Sequence, residues 1–192
     1  MTRAPCPTPE DWLAYWLGEL DAADEPRFEE HLFACAACSE RLQAIVDLGA
    51  AIRGELLRGD FGFVLPTVFV RSLEAAGLRV REYDLEPGDS INCTVTPDDD
   101  LVVANLRAPL ADVQRLDIVI DDSTAGTQRA NDVPFDPEAD GLALVPSVAY
   151  LRTLGRAQQR VRLVAVADDA REGERVIADY TFNHAPSGTT DD

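Results

Sequence analysis

The sequence predicts an α+β protein, with a helical N-terminal domain over residues 1–60 followed by an antiparallel β-sandwich or barrel. Apolar residues recur at helical spacing as far as residue 58, and beyond Gly77 the apolar period drops to two. The runs that follow are short and are separated by polar turns, the signature of antiparallel sheets.

The first helix begins where Thr8 can cap it. Pro9 is suited to the first helical position, and Glu10 and Asp11 bring acid to the first turn. Leu13, Trp16, Leu17 and Leu20 repeat at helical spacing across Gly18, which is a blemish in that pattern, and residues 21–24 read as the exit turn. Asp24 with Pro26 starts a second helix carrying Phe28, His31 and Leu32. A third runs from about Ser39, with Leu42, Ile45, Val46, Ile52 and Leu56 on one side, and is expected to stop at residues 59–62. Residues 61–77 are read as a fourth helix or linker, the helix spanning Leu65 to Ala76 with Gly77 as its stop. Period-two or apolar runs at 78–85, 90–95, 101–106, 116–120, 161–166 and 176–182 are the expected strands of a β-rich domain over 78–184. Pro146 to Leu154 reads as a short helix within it, and residues 185–192 as a disordered polar tail.

Charge narrows the function. The chain has 35 acidic and 17 basic residues, all of the latter arginine, for a net −18. Such a chain is repelled by nucleic acid and anionic membranes, but it suits a basic protein partner. No window reaches the 18 or so apolar residues of a membrane span, and the N-terminal residues lack the apolar stretch of a signal peptide. The expectation is a cytoplasmic protein that contacts neither membrane nor nucleic acid directly. Its four cysteines are then free for metal or redox chemistry and do not form a disulfide framework.

The chemistry-bearing residues are His31, Cys35 and Cys38, spaced H-x3-C-x2-C. His31 and Cys35 stand four apart, on one helix face, and the C-x2-C pair can grip one ion across two small alanines. Zinc takes four such ligands, and Cys6 is the one other candidate in this domain. A chain end folded back over the helix junction would close a Cys3His site and replace the core that short helices cannot bury. The competing readings are buried core cysteines or a thioredoxin-type redox pair. A redox pair normally follows a strand and opens a helix, whereas this one follows a helix.

This pattern, together with the amphipathic first helix, resembles the zinc-binding anti-sigma factor family over residues 1–76. The resemblance implies three helices around Zn2+ and a fourth beyond. It implies His31, Cys35 and Cys38 as ligands, with Cys6 at the variable fourth position, and a partner that is an extracytoplasmic-function sigma factor held away from RNA polymerase. Relatives with a β-rich C-terminal half carry a sensor there. Some of those sensors are metal-binding cupins, from which this half departs in having His184 alone.

On the first helix, Trp12, Leu13, Trp16, Leu17 and Leu20 span about 140°, widened by Tyr15. A small zinc domain needs part of that stripe for its core. The rest, with Trp12 near the edge, has the aromatic character of a protein interface, so Trp12, Tyr15 and Trp16 are the candidate partner contacts. Cys93 reads as a small buried hydrophobe, His184 as a hydrogen-bonded structural histidine, and Asp98–Asp100 and Asp121–Asp122 as solvated turns. No nucleophile or phosphate loop accompanies these acids, so no catalytic residue is assigned. The alternative function is a zinc–thiol redox switch, or an enzyme with catalysis in the β domain.

Overall fold

The computed structural model describes residues 5–58, 62–167 and 173–187. The chain forms two compact units, Met1–Glu55 and Leu56–Asp192.

In the first unit, Thr8 caps α1 (Pro9–Leu17) in a capping box. Its hydroxyl accepts from the Asp11 N–H at 3.2 Å, while the Asp11 carboxylate accepts from the Thr8 N–H at 2.8 Å. The helix does not continue to Leu20. Gly18 adopts φ 71°, the left-handed conformation that closes a helix at little cost to glycine, so it is the stop of α1. Helix α2 covers Glu25–Ala34 with Pro26 in its first turn, and α3 covers Ala36–Arg58. The stop expected for α3 at residues 59–62 lies, except for Gly62, outside the described residues.

The second unit opens with β1 (Phe63–Leu65), and α4 follows over Thr67–Ala75 once Pro66 has turned the chain. The further strands are β2 (Val80–Leu85), β3 (Ser90–Cys93), β4 (Leu101–Arg107), β5 (Arg115–Asp122), β6 (Gly126–Ala130) and β7 (Gly141–Val145). Helix α5 (Val148–Thr153), capped by Ser147, precedes β8 (Ala157–Val166) and β9 (Glu174–His184).

They build two open sheets, in the orders β1-β7-β4-β2 and β3-β9-β8-β5-β6. The architecture is α+β, as the sequence predicts, but the sheets are mixed and do not close into a barrel. Strands β2 and β4 pair in parallel, as do β3 and β9. The cause is the turn at residues 86–89. It does not fold β3 back on β2 as a hairpin; it carries the chain to the edge of the other sheet. Strand β4 then returns to the first sheet, so β3 acts as the crossover that a parallel pair requires.

One core lies between the sheets. Leu85, Leu106 and Leu142 from the first meet Leu116, Ile118, Leu163 and Tyr180 from the second. The Tyr180 hydroxyl donates to the Arg107 carbonyl, which satisfies its one polar atom in that core.

Two acid runs expected as solvated turns are instead fastened. Asp99 is buried and accepts from Arg81 Nε at 2.7 Å and from the Thr96 N–H at 2.7 Å, which locks the loop before β4. Asp122, also buried, ends β5 and accepts from the Thr124 and Ala125 N–H groups. At the C-terminus the Ala185 N–H donates to the Cys93 carbonyl, while residues 188–192 of the expected tail lie outside the described residues.

A candidate metal centre in the helical unit

The α2–α3 junction creates the site. Helix α2 ends at Cys35, whose φ of −135° and ψ of 98° break the helical path. The Cys35 carbonyl then accepts from the Cys38 and Ser39 N–H groups, each at 3.1 Å, to start α3. Ser39 Oγ donates back to the Leu32 carbonyl at 2.9 Å, tying the end of one helix to the start of the next. His31 projects from the last turn of α2, and Cys6 arrives from the segment before α1.

Each of Cys6, His31, Cys35 and Cys38 offers one ligand atom, and the four atoms lie within 4.8 Å of one another. Cys6 Sγ and Cys35 Sγ are 3.9 Å apart. Two sulfurs at about 2.3 Å from one tetrahedral zinc stand about 3.8 Å apart, so the spacing fits the ion. It is far too long for a disulfide, and the thiols are free. His31 Nε2 is buried with no hydrogen-bond partner, an orphan that a metal would satisfy. Three thiolates and an imidazole form a zinc-type donor set, and the cluster is positioned to hold Zn2+. Four protein ligands would leave zinc no open coordination position, as in structural zinc centres.

The electrostatics agree. The Cys38 backbone N–H, at the start of α3, hydrogen-bonds the Cys35 sulfur and lowers that thiol to about 6. Burial, joined by the neighbouring Cys6 and Cys35 sulfurs, raises Cys38 to about 11. The protein alone thus tolerates one thiolate here and resists the next, so a divalent cation is what makes further ionisation favourable.

Around the centre the unit has a small aromatic core. Trp12 is completely buried. It meets Phe28 edge-on at 5.0 Å and His31 at 6.3 Å between ring centres, so its ring backs the ligand histidine. Trp12 is therefore not an exposed anchor at the edge of the helix stripe. The edge is Leu13, which is 44% exposed. Tyr15 stacks on Phe28 at 6.0 Å, and Trp16 lies against Gly49 of α3; both are half-buried. Sequence reasoning did not single out Phe33, which is 94% exposed beside the ligands. An aromatic ring on the otherwise polar face of α2 was the available signal.

In the second unit, Cys93 is half-buried, and burial pushes its thiol up to about 11, which keeps it protonated and unreactive. His184 is buried, with its ring hydrogen-bonded to the Leu151 backbone.

A family model described as a putative zinc-finger matches residues 12–39, which contain three of the four clustered residues, His31, Cys35 and Cys38. This is the anti-sigma zinc-finger family, and the match covers the helical segment alone. No curated protein matches the chain. Among solved structures, the N-terminal domain of phage TP901-1 ORF48 is similar, at 12% identity and a TM-score of 0.35, over 57% of this chain and 98% of that one. That likeness is too slight to bear on fold or function.

Proposed function

We propose, from the premise that residues 12–39 carry a zinc finger of the anti-sigma type, that this chain is a zinc-binding anti-sigma factor. It sequesters an extracytoplasmic-function sigma factor in the cytoplasm and represses transcription until a signal releases it. The family match over a segment whose ligands converge carries this reading. Zinc, when bound, supplies a structural cross-link. The chain's own residues do the rest: His31, Cys35 and Cys38 fix the α2–α3 angle, and Cys6 ties down the segment before α1.

Surface chemistry supports a protein partner. Of the large hydrophobic side chains exposed among the described residues, Leu13, Phe33, Val46 and Leu48 all lie in the helical unit, and Val176 alone lies elsewhere. Apolar residues gathered on one small unit favour an interface. Exposed Leu13 and Phe33, with half-buried Tyr15 and Trp16, are the candidate contacts for the sigma factor. The net charge of −18 complements a basic, nucleic-acid-binding target and opposes direct contact with DNA. The anti-sigma zinc-finger family is not typically enzymatic.

Co-purification of the full chain from its own cells should recover a sigma factor. The zinc-loaded chain should also block transcription by polymerase bearing that sigma factor. Phe33→Ala should weaken the complex by at least tenfold, about 1.4 kcal/mol, as loss of an aromatic anchor does. A zinc-replete, folded chain that neither captures a sigma factor nor inhibits transcription overturns the reading.

A further inference from the structure

The second unit encloses a cavity of about 700 Å³ between its two sheets, within the range of small-molecule sites, about 300–1,000 Å³. Val102 and Ala104 of β4 wall one side, Ile118, Val161 and Phe182 of the other sheet face them, and Tyr150 and Leu151 of α5 stand at one end. Most of this wall is apolar, so water gains little there.

Two polar atoms on the lining have nothing to bond. His184 is only 4% exposed, and its Nδ1 has no partner. Since Nδ1 is unpaired, the ring's hydrogen bond to the Leu151 backbone falls to Nε2. Burial lowers the His184 pKa, so the ring is neutral, with its proton on Nε2 and a bare lone pair on Nδ1. Thr94 Oγ1 is likewise buried and unpartnered. Its backbone is held on both sides by the Tyr83 hydroxyl, which donates to the Thr94 carbonyl at 3.0 Å and accepts from the Thr94 N–H at 3.1 Å. Unsatisfied buried groups are costly, and two of them lining one cavity point to something that binds there.

Two charged groups on the lining, Asp122 and Arg129, are already committed, while Asp132, also on the lining, is exposed. Asp122 accepts from the Thr124 N–H and hydroxyl at 2.7 Å each, the Ala125 N–H at 3.1 Å, the Tyr150 hydroxyl at 2.9 Å and Gln159 Nε2 at 2.6 Å. It needs no cation. Arg129, the one cation among the described lining residues, is bound to Asp117 and Glu174 at 2.6 Å each, so it offers an anion little.

We propose that this cavity binds an uncharged, largely apolar small molecule bearing a hydroxyl or N–H group, which donates to His184 Nδ1 and exchanges a hydrogen bond with Thr94. All the residues involved belong to the second unit, so the proposal stands independently of the sigma-factor reading.

The test titrates the full zinc-loaded chain with 2-naphthol, naphthalene and 2-naphthoate by calorimetry and ligand-observed NMR. 2-Naphthol should saturate one site per chain and bind at least tenfold tighter than the other two. Thr94→Val, which keeps the side-chain shape, and His184→Phe should each cut that preference to threefold or less. Ile120→Trp, placed to fill the cavity, should abolish binding of all three, with thermal unfolding checked in every variant. Absence of saturable 2-naphthol binding overturns the proposal. So does 2-naphthoate binding equally well, or a preference that survives in a folded Thr94→Val or His184→Phe chain.

Discussion

Cys38→Ser is the sharpest perturbation of the helical unit. Serine keeps the shape of cysteine but offers a poor zinc ligand in place of a thiolate. Among the described residues of this unit, the fully buried large side chains are Trp12 and Phe28, alongside the ligands Cys35 and Cys38. Burial of each aromatic contributes at most about 3 kcal/mol. Zinc binding in small zinc modules is worth about 10–16 kcal/mol, more than those two rings together. Loss of the ion should therefore unfold the unit outright. Elemental analysis should fall from about one zinc per chain to none. Both tryptophans of the chain, Trp12 and Trp16, lie in this unit, so tryptophan emission reports on it alone. That emission should shift to the red as Trp12 meets water, while the β-rich unit keeps its own cooperative transition in circular dichroism. A Cys38→Ser chain that holds stoichiometric zinc and keeps a blue-shifted emission would refute the argument.

Three further outcomes follow from the geometry. Gly49→Ala would normally gain about 1 kcal/mol of helix propensity, but its Cβ would stand 2.3 Å from the Trp16 ring, so a net loss of about 1–2 kcal/mol is expected in chemical denaturation of the zinc-loaded chain. Asp122→Asn removes the charge that Thr124, Ala125, Tyr150 and Gln159 all share, and should lower the stability of the second unit by about 2–3 kcal/mol, read from its melting transition. On pH, burial would raise Asp122, yet the Thr124, Gln159 and Ala125 donors hold it below the ordinary carboxylate range, and Asp117 is lowered likewise by the Asp132 N–H and Arg129 against its burial. Folded pKa values below unfolded ones add stability that is fully present above about pH 4–5 and is lost as pH falls through the folded values. The melting temperature of the second unit should thus hold from pH 7 to about 5, then drop, and drop less steeply in Asp122→Asn. A flat acid limb in the parent chain would contradict this.

Three residues of the candidate metal cluster were legible in the sequence because their spacing is local. His31, Cys35 and Cys38 lie within eight residues, so the end of α2 and the start of α3 keep them close. Capping by Thr8 and the start of α2 at Asp24–Pro26 were legible for the same reason: each depends on neighbours a few residues away. Convergence of Cys6 was conjectured from the ligand count, and only the fold brings its sulfur to 3.9 Å from Cys35. The stripe on α1 shows which residues are apolar but not which neighbour they meet. Phe28 and His31 enclose Trp12, while Phe33 is left bare. Strand β6 escaped notice because all five of its residues are exposed, so it carries no apolar alternation, and it is held by pairing with β5. The parallel pairings and the cavity were beyond reach for a deeper reason. Local sequence sets whether a segment is extended and which face is apolar. Whether the turn at residues 86–89 folds β3 back on β2 or sends it to the other sheet is decided by which long-range burial lowers the free energy most. That competition among distant surfaces also leaves His184 Nδ1 and Thr94 Oγ1 without partners on the cavity lining.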